Sequence, residues 1–127
     1  MILCDTNILI EFYKNNTKIV LELRQIGVAN LSISAITQAE LYFGALNKTE
    51  LRSIKRHLAL LNVFPIDSGV SHRFLQLMEA YALSHKLSLP DALIAATVLQ
   101  NGLELYTLNV KDFNFIPGLQ LYQTQTY

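Results

Sequence analysis

The 127-residue chain has one cysteine, no tryptophan, three prolines and no surplus of either charge, with ten Lys and Arg against ten Asp and Glu. The lone Cys4 stands in the apolar run Ile2-Leu3-Cys4 and has no internal disulfide partner, which argues against a small disulfide-stapled secreted scaffold. Asp5 and Asn7 interrupt that run at once, so the N-terminus lacks the pattern of a signal peptide. The uncharged stretch Gln25 to Ala39 carries Asn30, Ser32, Ser34, Thr37 and Gln38, too polar to span a bilayer. These absences predict a soluble, cytoplasmic protein with no membrane partner. The missing basic surplus removes the simplest nucleic-acid signature, so a nucleic acid would have to be held by a local patch or through metal ions. What the chain does have is apolar content: 51% hydrophobic and only 16% charged residues exclude disorder as its main state. Its length predicts a single domain over residues 1–127, with a tail that frays after about residue 122.

Short apolar runs alternate with longer helical patterns. Strands are predicted at Ile2 to Cys4, Leu31 to Ser34, Val63 to Ile66, Leu105 to Thr107 and Leu119 to Tyr122. Helices are predicted at Thr6 to Lys14, Thr17 to Ile26, Ala35 to Leu46 and Lys48 to Leu61, with Ser68 as cap of the next. Pro90 opens a further helix that Gly102 closes. Strands separated by helices imply parallel pairing, hence an α/β sandwich whose ligands bind beyond the carboxyl ends of the strands.

The acidic residues fall where that geometry places chemistry. Ile2-Leu3-Cys4 delivers Asp5 to the end of the first strand, where capping the following helix is the simpler role. Glu40 has no Lys or Arg three or four positions away, so no helix-surface ion pair accounts for it. Gly44, read as interior to the same helix, costs about 1 kcal/mol relative to Ala and suggests a close neighbour on that face. Asp91 follows Pro90 in the first turn of the apolar segment Ala92 to Ala96, where the helix dipole alone would favour an acid. Asp112 lies in a turn after the fourth strand, an ordinary place for Asp. If these four converge, each carboxylate pair about 4 Å apart repels by roughly 4 kcal/mol at an effective dielectric near 20. A hard divalent cation relieves such repulsion, and oxygen-only ligands select Mg²⁺ or Mn²⁺, one or two per site. His57, His72 and His85 are scattered among helices at no zinc spacing.

At these residues the chain resembles the PIN-domain ribonucleases, specifically the VapC-type toxins of toxin–antitoxin pairs. The resemblance runs through Leu3-Cys4-Asp5-Thr6-Asn7, Ile36 to Leu41 with Gly44, Pro90 to Thr97, and Thr107-Leu108-Asn109 through Gly118-Leu119. It implies a three-layer sandwich around a parallel sheet of four to five strands, a homodimer, and neutralisation by a VapB-like antitoxin. It makes Asp5, Glu40 and Asp91 the acidic metal-binding triad. Asp112 or Asn109 fills the fourth position, and Thr6, Asn7 and Thr107 support the acids.

The resulting expectation is Mg²⁺-dependent endonucleolytic hydrolysis of RNA by activated water, leaving 5′-phosphate and 3′-hydroxyl ends. No histidine pair supports attack by the ribose 2′-hydroxyl. Lys48, Arg52, Lys55 and Arg56 form a basic helical stripe able to track phosphates, although a solvated face paired in part by Glu50 is the more ordinary reading. Two alternatives belong to other classes. One is a PIN-fold binding module with little turnover; the other is a haloacid-dehalogenase-like phosphohydrolase, which wants a second Asp where the chain has Asn7.

Overall fold

The structure is a computed structural model describing residues 1–125. The strands are β1 (Ile2–Cys4), β2 (Leu31–Ser34), β3 (Asn62–Phe64), β4 (Glu104–Tyr106) and β5 (Gln120–Leu121). The helices are α1 (Thr6–Tyr13), α2 (Thr17–Ile26), α3 (Ala35–Phe43), α4 (Lys48–Leu58), α5 (Ser68–Tyr81) and α6 (Leu89–Asn101), with 3₁₀ turns at Val28–Asn30 and Val110–Asp112. All strand pairs are parallel and run in the order β3-β2-β1-β4-β5, as the alternation of strands and helices predicts.

Alternating side chains send each central strand into two cores. Leu3 and Leu105 enter a cluster with Val70, Leu77, Ala92, Ile94, Val98 and Phe113, beneath α5 and α6. Their neighbours Cys4 and Tyr106 enter the opposite cluster with Ile8, Leu9, Ile19, Leu23, Ile54 and Leu58, beneath α1, α2 and α4. This is the expected three-layer sandwich. At Gly69 a Cβ would stand 2.4 Å from the side-chain amide of Gln100 on α6, an exposed and flexible group that would have to move aside.

Several element ends differ from expectation. α3 stops at Phe43, and Gly44 is its C-terminal cap, with only backbone carbonyls of its own last turn near a hypothetical Cβ. The close neighbour expected beside Gly44 is therefore not there. α4 stops at Leu58, three residues short of the predicted end. Asp67, not Ser68, caps α5, because its side chain accepts from the Val70 amide at 2.9 Å. Beyond β5, the Tyr122 hydroxyl and the Gln125 backbone N–H both donate to the buried Glu22 carboxylate. Residues 126–127, the last of the tail expected to fray, lie outside the described residues.

The strand order positions the site. From β1 the chain moves outward to β2 and β3, then returns to add β4 on the other side of β1 and β5 beyond it. β1 and β4 are therefore neighbours whose onward connections lead to opposite edges of the sheet, the switch point at which open parallel sheets form their ligand crevice. Asp5 follows β1, and Thr107 follows β4.

Candidate active site

Asp5 lies at the switch point, 5% exposed, and takes the helix-capping role the sequence offered. As cap of α1 it accepts from the Thr6 amide through Oδ1 at 2.7 Å, and through Oδ2 it accepts from the Thr107 hydroxyl at 2.7 Å. The same Thr107 oxygen accepts from the Asn109 backbone N–H at 3.0 Å. Thr107, the residue after β4, thus joins the first strand's acid to the loop that carries Asp112.

A second string of hydroxyls orients Glu40. The Thr6 hydroxyl lies 2.7 Å from Glu40 Oε1 and 3.0 Å from the Thr37 hydroxyl, which in turn lies 3.3 Å from Ser34 Oγ. Ser34 caps α3 by accepting from the Thr37 amide. Thr37 and Ser34 are fully buried, so the face of α3 that carries Glu40 is fixed from the sheet upward. The sequence reading missed this pair, although Thr37 stands one turn before Glu40 on the same face. Asn7 ties the two strand-end loops together, its carbonyl 3.5 Å from the Leu108 amide.

Asp91 is the third residue of α6, half-buried, its amide bonded to the cap Ser88 at 3.2 Å. Asp112 is exposed at the end of the 3₁₀ turn. The four acids act on one another. Burial pushes Asp5 above the ordinary carboxylate range; the Thr107 and Thr6 hydrogen bonds pull it back, and the charges of Glu40 and Asp112 raise it again. Asp91 is pushed up to about 6, first by burial and then by Asp5, with Asp112 and Glu40 adding to the push and Ser88 opposing it. No lysine or arginine contributes to either shift.

This shift predicts a pH signature. The folded chain holds the Asp91 proton more tightly than the unfolded chain does, so stability from this group is complete below about pH 4 and falls as pH rises toward 6. In EDTA at pH 7.5, Asp91→Asn therefore has a higher melting temperature than the unaltered protein, by roughly 3 °C. At pH 4 the difference closes. Paired thermal melts at the two pH values check it; an equal gap at both would remove Asp91 from the repelling group.

The donors are oxygens only, which suits a hard divalent cation. Among the described residues no three His, Cys, Asp or Glu side chains stand close enough together to hold a metal ion between them. Asp91 and Asp112 line an open recess, and Mg²⁺ characteristically takes one or two carboxylates and completes its shell with water and substrate phosphate. Two of the three histidines stay out of it: His57 stacks on Phe12 and shares a 2.9 Å hydrogen bond with the Tyr13 hydroxyl, and His72 is exposed. Below the acids, the Cys4 thiol is 1% exposed, and burial, with the Asp5 charge added, pushes it up to about 12.

The basic stripe is exposed at Lys48, Arg52, Lys55 and Arg56. The partial pairing by Glu50 does not form: Lys14 with Glu11, at 3.6 Å, is the one ion pair among the described residues. Among the aromatics, Phe12, Tyr13 and Tyr42 pack against the core, while Phe43 is 94% exposed.

A parallel sheet with carboxylates gathered at its switch point is the architecture the sequence resemblance implies. The family model for the PIN domain matches residues 2–115, and the chain belongs to that family. Ribonuclease VapC10 of Mycobacterium tuberculosis (strain CDC 1551 / Oshkosh) is 37% identical over 91 residues, 71% of this chain and 68% of that protein. A toxin–antitoxin complex from Klebsiella pneumoniae matches with a TM-score of 0.80 and 34% identity, over 94% of this chain and 95% of that one. DNA-bound VapBC from Salmonella typhimurium matches with a TM-score of 0.84 and 25% identity, over 95% and 96%. The match sets aside the haloacid-dehalogenase alternative, and position 7 agrees, since its amide serves the loop contact with Leu108.

Proposed function

We propose that the chain is a cytoplasmic endoribonuclease, the toxin of a VapBC-type pair, whose Asp5, Glu40 and Asp91, with Asp112, hold Mg²⁺ or Mn²⁺. The observation that carries this reading is the mutual repulsion of acids at the switch point, none of which forms an ion pair with a lysine or arginine among the described residues. When bound, the ion supplies charge neutralisation and an activated water for in-line displacement at phosphorus.

The chain's own residues prepare that site. Thr107 and the Thr6 amide hold both oxygens of Asp5, and the Thr6–Thr37–Ser34 string aims Glu40 into the same crevice. Without a metal ion, burial and the neighbouring acids push Asp91 up to about 6, and a bound divalent cation would favour its charged form. Asn109, whose backbone N–H donates to Thr107, would offer a neutral carbonyl as a further ligand alongside Asp112. The exposed stripe Lys48, Arg52, Lys55 and Arg56 provides phosphate contacts remote from the acids. Phe43, Leu46 and Leu83, 94%, 85% and 96% exposed, are apolar surface suited to a second copy of the chain and to an antitoxin.

The test is the chemistry of the product ends. Purified protein with Mg²⁺ or Mn²⁺ will cut RNA into fragments that ligate directly to a 3′-hydroxyl acceptor through their 5′-phosphates, and excess EDTA will stop it. Cyclic phosphate ends, or cutting that continues in EDTA, would overturn it. Calorimetry separates the binding-module alternative, for which Mg²⁺ produces no heat.

A further inference from the structure

Beside the acids, on the α5–α6 side of the crevice, lies a recess of about 280 Å³. Asp91 and Asp112 line it together with Lys86, Lys111, His85 and Phe115, and Leu87 and Ser88 complete the lining. Both lysines are exposed, and neither pairs with the acids they adjoin, since no ion pair other than Lys14–Glu11 exists among the described residues. Two ammonium groups held near two carboxylates without neutralising them remain available to an incoming anion. Lys86 is also set in the left-handed backbone region, with φ at 52°, a conformation a lysine adopts only where its surroundings impose it.

His85 has a different kind of order. Its ring stacks on Phe115 with centroids 4.1 Å apart and planes 18° from parallel, Tyr81 meets both rings edge-on, and Ser84 Oγ lies 2.8 Å from His85 Nδ1. Yet His85 is exposed. A flat ring fixed on one face and open to solvent is what an unstacked base can use.

We propose that this recess seats one nucleotide of single-stranded RNA next to the bond to be cut, with Lys86 and Lys111 holding a backbone phosphate and His85, backed by Phe115, stacking the base. The proposal rests on the ribonuclease reading and names its substrate-positioning residues. The acids alone would repel RNA, and the recess supplies compensating charge within the same crevice, whereas the α4 stripe does not line it.

The experiment measures kcat, KM and salt dependence for cleavage of a labelled single-stranded oligoribonucleotide by the full chain and by His85→Ala, Lys86→Ala and Lys111→Ala. Binding of the same oligonucleotide is followed by fluorescence anisotropy in Ca²⁺. Each variant is expected to raise KM about 10-fold with kcat changed less than about 2-fold, since stacking and phosphate contacts position without reacting. Each lysine variant also lowers the salt slope by about 0.7, the value for one phosphate on a single strand, while His85→Ala leaves the slope alone and His85→Phe restores KM. Unchanged KM and slope in all three variants, with the unaltered chain cutting RNA, would overturn the recess and leave the ribonuclease reading intact. RNA that binds and is lost in the variants without ever being cut would support the recess and sink that reading. An unaltered chain that neither binds nor cuts the oligonucleotide would overturn both.

Discussion

Asp5→Asn and Asp91→Asn are each expected to lower RNA cleavage by about 100- to 1,000-fold while leaving the fold in place, the size of effect seen when one preorganised electrostatic contact is removed from an active site. Asparagine has nearly the shape of aspartate, and its carbonyl can still accept from the Thr6 amide that Asp5 caps. What it loses is the charge. Its amide nitrogen cannot accept from the Thr107 hydroxyl, so Thr107 must turn, and a divalent cation loses a negative ligand. At Asp91 the same change removes a carboxylate already short of negative charge below about pH 6. Single-turnover cleavage assays, with circular dichroism to show that the variants are folded, read the result. Undiminished cleavage by either variant would overturn the metal-site assignment.

Phe113→Ala is expected to destabilise the protein by about 3–5 kcal/mol, the usual range for emptying a fully buried aromatic site. Phe113 is 0% exposed and packs with Leu3, Leu105 and Ile116. Against a total stability of roughly 5–15 kcal/mol, that is enough to lower the melting temperature by about 10 °C or more. The backbone N–H of Phe113 closes the 3₁₀ turn that carries Asp112 by donating to the Val110 carbonyl at 3.1 Å, a bond that alanine keeps, so the loss comes from the ring alone. Thermal melts check the first effect. A loss below about 1 kcal/mol would show that the site collapses around the missing ring.

How legible the protein was follows from the range of the interactions involved. Asp5 could be placed because a three-residue apolar strand leaves the next residue only one location, the strand's carboxyl end. Glu40 could be singled out because a helix offers partners only three or four positions away, and none was charged. Element ends were harder. Apolar residues continue past Gly44 and past Leu58, so periodicity alone overruns both helices, whereas the true stop at Gly44 is set by cap bonds from its amide to Glu40 and Tyr42. Thr107 read as strand because its side chain suits one; only a partner 102 residues away turns it to the acid. The His85–Phe115 stack had no sequence signal for the same reason, since the two rings lie 30 positions apart and no local rule joins them.

The buried Cys4 has a practical consequence. It is the chain's sole thiol, sealed in the core one residue before Asp5 and held protonated well above neutral pH. A maleimide or disulfide reagent will therefore leave the folded protein untouched and react only as it opens. That makes the native thiol a built-in clock for unfolding, and it leaves any cysteine engineered onto the surface as the single position for attaching a fluorophore or a cross-linker.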